Sequence, residues 1–431
     1  MASPVAATGK QRSLVALAVV LFFAWGFATV LIDSLVPKLK GLFALSYTEV
    51  MLTTFSFFIG YFFFSIPAGF VVSRAGYLRS TVLGLAVMAA GCLLFAPAAA
   101  IGSFPAFLFA LFVMAAGITM LQVVANPLMA GLGPESTASS RLTLAQAFNS
   151  LGTTIGPFVG AAFILGGGVS LNATQLAPEA LDALRRSQAH MVQTPFLAIA
   201  MVLVVIAVAF WIMRNRPTPR VSAQAATFGD VVRLLGRPRL VLGALAIFLY
   251  VGAEVSIGSV MTNYLMQSSV LGLAAQRAGR LVSLYWGGAM LGRFLGAYVL
   301  RRVTPGTTLA FCACGAGVLA TVSSLTTGSV AAWSLIAVGL FNSIMFPTIF
   351  ALASEGLGEE TPNGSALLCM AIVGGAIIPV IVGAVADHGG LATALLVPML
   401  CYIWVAIYGV LTARGLGQNA NSAIGGQKSS Q

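Results

Sequence analysis

The sequence predicts an all-α membrane protein whose twelve transmembrane helices form two pseudo-symmetric six-helix bundles. Composition is the first reason: the 431 residues are 59% hydrophobic and 8% charged, whereas a soluble domain carries about 25% charged residues. The second is that the apolar runs reach the roughly 20 residues that a bilayer requires and do not alternate as barrel strands do. The third is an internal repeat, which divides the chain into two halves.

The apolar runs, taken in chain order, give twelve predicted spans. They are residues 14–37, 47–72, 79–99, 104–131, 141–167, 191–213, 239–267, 277–301, 306–327, 330–355, 363–386 and 390–413. We predict an N-terminal six-helix bundle over 1–213, a cytoplasmic linker over 214–238 and a C-terminal six-helix bundle over 239–431. The FGDVVRLLG segment of the linker is typical of a short interfacial helix.

Basic residues in the gaps between spans predict the orientation. With both termini inside, fifteen of the 22 Lys and Arg residues fall in inner gaps, six fall in outer gaps and Arg293 lies within a span. The positive-inside rule therefore predicts cytoplasmic termini. The +11 net charge reflects this topology, so we expect no nucleic-acid partner. The first run lacks a clear cleavage site, which favours a retained helix, and the five cysteines are interpreted as reduced packing residues.

Identical or similar residues recur in the two halves at a nearly constant sequence offset, slightly more than half of the chain length. The matching pairs are Gly69–Gly296, Arg74–Arg301, Gly152–Gly374, Pro157–Pro379, Gln122–Asn342, Pro127–Pro347 and Asp33–Glu254. Two parallel six-helix halves, related by an axis along the membrane normal, are the plan of major facilitator transporters. This plan predicts a substrate site between the halves near the membrane midplane.

Neutral amides share predicted helix faces in the first half. Gln122 and Asn126 are spaced i, i+4, and Gln146, Asn149 and Thr153 are spaced i, i+3, i+7. Amides both donate and accept, as the hydroxyls of a sugar require, whereas ions favour carboxylates or carbonyls. The alternative is that each amide makes an interhelix hydrogen bond, worth about 0.6 kcal/mol in a membrane.

Three further residues are candidate contacts of a sugar. Asn263 and Asn342 would serve from the second half. Trp25 lies eight residues before Asp33, roughly on the same helix face, where its ring would stack on the apolar face of a sugar.

Two carboxylates fall within predicted spans, Asp33 and Glu254. A buried carboxylate can load and release a proton as water access changes, so both are candidates for proton coupling. In the alternative, Asp33 caps the outer end of its helix near Lys38 and Lys40. For Glu254, the separate alternative is a structural pair with a buried arginine, for which Arg293 is the candidate.

Arg74 and Arg301 end glycine-rich helical stretches at predicted cytoplasmic ends. They are candidate gating residues that latch the two halves, and as topology determinants they would also orient the chain.

Several segments resemble one family of transporters. LQVVANPLMAGLGPESTASSRLTLAQAFNSLGTTIGP (121–157), FFAWGFATVLIDSLVPKLK, GYFFFSIPAG and YVGAEVSIGS are similar to the fucose–galactose–glucose:proton symporter family of the major facilitator superfamily, in its glucose/galactose transporter branch. The resemblance runs from about residue 14 to 412. It implies hexose uptake across the inner membrane, coupled to protons or, in some members, to sodium.

The resemblance also implies roles for particular residues. The proton-coupling first-helix Asp of the fucose branch maps onto Asp33, and the fifth-helix Gln and Asn map onto Gln146 and Asn149. A fourth-helix Glu maps onto Gln122, so this chain departs from a two-carboxylate relay there. The superfamily's GxxxDR motif reads GFVVSR, with Ser73 in place of Asp.

We therefore expect a cation-coupled hexose importer in the bacterial inner membrane, with glucose or galactose as substrate and the proton as coupling ion. The alternatives are sodium coupling, N-acetylglucosamine uptake, or export of small amphipathic compounds. We expect no enzymatic activity, no metal site and no cofactor beyond the coupling ion. The expected partners are the hexose and membrane lipid, and the protein is expected to be a monomer.

Overall fold

The structure, a computed structural model, describes residues 13–29, 47–101, 103–160, 178–218 and 228–416. Within these ranges the regular structure is helical, with no strand. The helices are α1 (Ser13–Thr29), α2 (Tyr47–Ala75), α3 (Tyr77–Ile101), α4 (Phe104–Gly131), α5 (Ala138–Gly160), α6 (Pro178–Ile212), α7 (Phe228–Leu234), α8 (Pro238–Met266), α9 (Ala275–Val299), α10 (Pro305–Leu325), α11 (Gly328–Asn342), α12 (Met345–Ser354), α13 (Thr361–Met370), α14 (Gly374–Ala394) and α15 (Leu396–Ala413). Asp33, Lys38 and Lys40 lie outside the described residues.

Most of these helices match the predicted spans in position. Eight stretches of the described residues are long and apolar enough to cross a membrane, and two shorter apolar stretches are Ser13–Thr29 and Phe196–Ile212. Helices α5 and α9 are less apolar, because α5 carries amides and α9 carries three arginines. Helix α7 confirms that the FGDVVRLLG segment is helical.

Three predicted spans differ from the structure. The tenth, 330–355, is divided into α11 and α12, and the eleventh, 363–386, is divided into α13 and α14 by a 3₁₀ turn at Ala371–Val373. Helix α6 begins at Pro178 rather than at residue 191. Its first turns contain good helix formers after an N-terminal proline, so the helix extends beyond its apolar part. Hydropathy marks the apolar stretch and not the helix end.

The chain divides into two compact units. The first comprises Met1–Leu128 and Phe148–Pro219, and the second comprises Met129–Ala147 and Arg220–Gln431. Helix α5 therefore begins in the second unit and ends in the first.

Aromatic and helix packing form the core of each unit. In the first unit, α3 packs along α6, where the ring centroids of Phe95 and Phe196 lie 4.4 Å apart. In the second unit, α8 packs against α14 and α15, and α10 packs against α15.

One repeated glycine permits a close helix approach in both units. A Cβ atom at Gly152 of α5 would overlap the carbonyl oxygen of Phe23 in α1. A Cβ atom at Gly374 would overlap the carbonyl oxygen of Phe248 in α8. Small residues are what allow membrane helices to approach so closely. The repeat detected in the sequence therefore corresponds to the same packing contact in the two units.

All five cysteines are free thiols, in agreement with the sequence analysis. Cys92, Cys369 and Cys401 are buried, Cys312 is half-buried and Cys314 is exposed.

Candidate functional site

The first unit contains a buried amide pair on α4. The Gln122 Nε2 atom donates to the hydroxyl of Tyr61 on α2 at 3.0 Å, and the Asn126 Nδ2 atom donates to the Gln122 Oε1 atom at 3.2 Å. Both amides are buried. The structure thus brings Gln122 and Asn126 into contact on one face of α4, as their i, i+4 spacing predicts. It also gives Gln122 the interhelix hydrogen bond of the alternative interpretation.

The amides of α5 lie farther along the chain. The Asn149 Nδ2 atom donates to the Phe22 carbonyl oxygen of α1 at 2.9 Å, which ties the two helices together. Gln146 is buried one turn earlier on the same helix. The hydroxyl of Thr153 donates to the Ser150 carbonyl oxygen at 2.9 Å, within its own helix.

Trp25 is buried in the first unit, with 5% of its surface exposed. Its ring centroid lies 5.3 Å from that of Phe22. The ring is therefore packed against protein, and its contact with a sugar stays a prediction.

Several hydrogen bonds surround Asn342 in the second unit. The Asn342 Nδ2 atom donates to the Tyr285 hydroxyl at 2.8 Å, and that hydroxyl donates to the Glu254 carbonyl oxygen at 3.4 Å. The Tyr250 hydroxyl donates to the Asn342 carbonyl oxygen at 3.0 Å. Asn342 and both tyrosines are buried. Helices α8, α9 and α11 thus meet at one polar cluster.

The Glu254 side chain belongs to the same cluster. Its Oε1 atom is buried and has no hydrogen-bond partner among the described residues. Tyr250 lies one helical turn before Glu254 on α8, and Arg293 lies on α9. Arg293 donates its Nε proton to the Ser343 carbonyl oxygen at 3.0 Å and, within the described chain, forms no ion pair with Glu254 within 4.0 Å. The alternative of a structural Glu254–Arg293 ion pair is therefore not found among the described residues.

The break between α11 and α12 lies beside this cluster. Pro347 has no N–H, so the helical hydrogen bond that the Ser343 carbonyl would accept is missing. Arg293 replaces that bond, and Tyr250 satisfies the neighbouring Asn342 carbonyl. In a membrane such substitutes are required, because no water is available to the freed carbonyls.

The remaining predicted residues lie apart from these clusters. Asn263 is exposed, nine residues along α8 from Glu254, which is a rise of about 13 Å. Arg74 is exposed at the end of α2. Arg301 donates its Nε proton to the Ser140 hydroxyl at 3.3 Å, and that hydroxyl donates to the Ala297 carbonyl oxygen at 2.5 Å.

The tyrosines were missed by the sequence analysis. Tyr61 and Tyr285 are related by nearly the same sequence offset as the repeated residues, and they precede their amide partners by 61 and 57 residues. A tyrosine within a span has a polar hydroxyl that needs a partner. Combined with the repeat, this signal was available in the sequence.

The glycine contacts also define the register of the repeat at its first helix. Phe23 and Phe248 make equivalent contacts and so occupy equivalent positions of the repeat. The sixth residue after Phe23 is Thr29, and the sixth after Phe248 is Glu254. By this packing contact Glu254 is equivalent to Thr29, whereas the sequence offset pairs it with Asp33, which lies outside the described residues.

A family model described as the Major Facilitator Superfamily matches residues 14–379. The chain belongs to the Major Facilitator Superfamily. It is 48% identical over 396 residues to the "Glucose/galactose transporter" of Brucella abortus biovar 1 (strain 9-941), covering 91% of this chain and 92% of that relative. It is 35% identical over 413 residues to the "L-fucose-proton symporter" of Escherichia coli (strain K12), covering 93% and 94%. The crystal structure of the E. coli fucose:proton symporter is similar with a TM-score of 0.86 and 32% identity, over 93% of this chain and 99% of that chain.

Membership of the Major Facilitator Superfamily confirms the predicted fold class, a twelve-helix membrane protein of two pseudo-symmetric six-helix bundles. The chain is a multi-pass membrane transporter rather than an enzyme. The resemblance to the glucose/galactose transporter branch is confirmed by relatives of that name over nearly the full length.

Proposed function

We propose that this protein is a proton-coupled importer of a hexose such as glucose or galactose. The observation that carries the proposal is the 48% identity, over almost the whole chain, to a protein named as a glucose/galactose transporter. The symporter named for L-fucose and protons, at 35% identity, supports the coupling ion. Buried neutral amides in both units, Gln122 and Asn342, agree with an uncharged, hydroxyl-bearing substrate.

In this proposal the sugar contacts amides from both halves. The amides that supply hydrogen bonds are Gln122, Asn126, Gln146, Asn149 and Asn342. All but the half-buried Asn149 are buried, which strengthens each bond and makes it more selective. Trp25 would contribute only after its packing against Phe22 is loosened. Asn263 has the least support among the proposed sugar contacts, because it is exposed and distant from Glu254 along α8.

The proposed coupling residues are Asp33 and, as the second acid, Glu254. An electrical potential of 100 mV supplies about 2.3 kcal/mol per proton, enough for roughly 50-fold accumulation of the sugar. The proposed site of action is the bacterial inner membrane, with both termini cytoplasmic and Arg74 and Arg301 at the inner gate. Sodium coupling, N-acetylglucosamine uptake and export of amphipathic compounds are the competing functions.

Uptake of labelled hexoses into membrane vesicles, with imposed pH or sodium gradients, tests the proposal. Asp33→Asn should abolish accumulation driven by the pH gradient while leaving sugar exchange in place, because exchange needs no net proton movement. Glu254→Gln is the matched comparison and should lower accumulation less. Unchanged accumulation in Asp33→Asn would refute the coupling role of Asp33. Accumulation that follows only a sodium gradient would show that the coupling ion is sodium and not the proton.

A further inference from the structure

The same tyrosine–amide pair occurs in each unit. Gln122 donates to Tyr61 at 3.0 Å in the first unit, and Asn342 donates to Tyr285 at 2.8 Å in the second. All four side chains are buried. The two tyrosines are related by nearly the same sequence offset as the two amides, and both offsets agree with the repeat. The hydrogen bond is therefore retained in both halves although the amide is Gln in one and Asn in the other.

The direction of the hydrogen bonds determines which atom of Asn342 remains available. The Tyr285 hydroxyl has one proton, which it directs at the Glu254 carbonyl oxygen at 3.4 Å. Its lone pairs therefore face Asn342 and accept the Nδ2 proton, whereas a rotated amide would set two acceptors against each other. The Oδ1 atom is held on the other side, buried and without a hydrogen-bond partner among the described residues.

Two more buried polar atoms of the second unit also have no hydrogen-bond partner among the described residues. They are the Tyr402 hydroxyl and the Glu254 Oε1 atom. Tyr402 is fully buried in the second unit, as is Asn342. An unsatisfied buried polar group costs about 1–3 kcal/mol, and proteins retain few of them. An amide oxygen, a phenol and a carboxyl oxygen together suit a ligand hydroxyl, which both donates and accepts.

We propose that Tyr285 and Tyr61 are positioning residues of the sugar site. Each accepts the amide N–H of its partner, Asn342 or Gln122, and so fixes the orientation of that amide. In the second unit the Asn342 Oδ1 atom, which has no hydrogen-bond partner among the described residues, then accepts from a hydroxyl of the sugar. The inference rests on the proposed function and adds to it the residues that set selectivity for hydroxyl groups.

Conservative removal of one phenol tests this arrangement. Tyr285→Phe keeps the buried ring but removes the acceptor that orients Asn342. The matched control is Tyr264→Phe, another buried tyrosine of the second unit, whose hydroxyl donates to the Ser323 carbonyl oxygen at 2.5 Å. In vesicle uptake assays, Tyr285→Phe should raise KM for the hexose about tenfold with Vmax within about twofold. Its preference for the hexose over the monodeoxy analogue that lacks the bound hydroxyl should fall by a similar factor. Tyr264→Phe should change neither quantity.

A double-mutant cycle separates positioning from general stability. If Tyr285 acts through Asn342, then Tyr285→Phe should produce no further rise in KM in the Asn342→Ala background. Additive effects, or a lower Vmax at constant KM, would overturn the inference. The cycle of Tyr61→Phe with Gln122→Ala repeats the test if Tyr285→Phe does not reach the membrane. Failure of the unaltered protein to take up any hexose would instead refute the proposed function.

Discussion

At the scale of the residue, a buried amide can make a structural hydrogen bond and still keep atoms for a ligand. A glutamine side chain has two N–H donors and two carbonyl lone pairs. Gln122 uses one donor on Tyr61 and one lone pair on Asn126, which leaves one of each. The interhelix bond and the substrate contact are therefore compatible. The bond to Tyr61 restricts the amide to one orientation, which lowers the entropy cost of binding a ligand.

Replacing Gln122 with leucine should therefore affect substrate binding more than folding. Gln122→Leu keeps the side-chain size but removes the hydrogen bonds that join Gln122 to Tyr61 and Asn126. We expect KM for the hexose to rise at least about tenfold. Thr119→Val on the same helix is the control, because the Thr119 hydroxyl donates to the carbonyl of Ala115 within its own helix. Equal KM values for the two variants would contradict a binding role for Gln122.

At the scale of the element, the same proline position has different outcomes in the two halves. Pro127 lies five residues after Gln122, and α4 continues through it. Pro347 lies five residues after Asn342, and there the helix is broken into α11 and α12. The difference follows from the neighbours, since Tyr250 and Arg293 of the second unit donate to the freed carbonyls.

Removal of the Arg293 guanidinium should therefore destabilise the broken helix between α11 and α12. Arg293→Met keeps most of the apolar stem but leaves the Ser343 carbonyl without its donor. An unsatisfied buried carbonyl costs about 1–3 kcal/mol, so we expect melting of the purified protein several degrees lower. Arg280→Met, an exposed arginine on the same helix, should leave the melting temperature unchanged. A similar shift in both variants would show that loss of charge, and not of the bond, is responsible.

The glycine contact of α14 with α8 gives a second prediction at this scale. Gly374→Ala would set a methyl group against the Phe248 carbonyl oxygen, so the helices would have to separate. We expect reduced thermal stability and a smaller yield of folded protein. Gly383→Ala is the matched change on the same helix, because no atom of the described chain lies within 4 Å of the added carbon. Stability of Gly383→Ala should equal or slightly exceed that of the unaltered protein. Equal stability of the two variants would contradict the packing argument.

At the scale of the whole molecule, the segment that joins the two halves is tied to the second unit. Arg233 of α7 and Arg237 form ion pairs with Glu360 at 2.5 and 2.6 Å, and Arg239 pairs with Glu355. Arg237 also donates to the Gly356 carbonyl oxygen at 3.2 Å. One partner is 70% exposed, so the contribution to global stability is small, about 0–1 kcal/mol. The pairs instead hold α7 in place.

Loss of Glu360 should therefore free the joining segment without unfolding the protein. Glu360→Gln removes both ion pairs, and we expect faster trypsin cleavage at Arg233 and Arg237 with little change in melting temperature. High salt should accelerate cleavage of the unaltered protein, because exposed pairs are screened. Glu359→Gln alters the adjacent exposed carboxylate, which forms no ion pair in the described chain, and should cleave at the original rate. Faster cleavage in Glu359→Gln as well would refute the tether.

Helix positions follow from local hydropathy, whereas side-chain partners depend on the fold. Helix existence and approximate bounds were predictable, because hydropathy is a local property. The break at Pro347 was not, because it depends on donors from α8 and α9. The amides were identified by their spacing, but their tyrosine partners are distant in the chain and required the fold. The coupling role of the Asp33 carboxylate stays a prediction, since Asp33 lies outside the described residues.

The distribution of the five thiols makes this transporter convenient for spectroscopic labelling. Three thiols are buried, and the exposed Cys314 lies among apolar side chains of α10 and α15, where lipid would cover it. Maleimides react with the thiolate, which forms in contact with water. A cysteine introduced at a solvent-facing position should consequently be labelled well ahead of the native ones. Fluorophore or spin-label pairs could then report distance changes during the transport cycle without first building a cysteine-free protein.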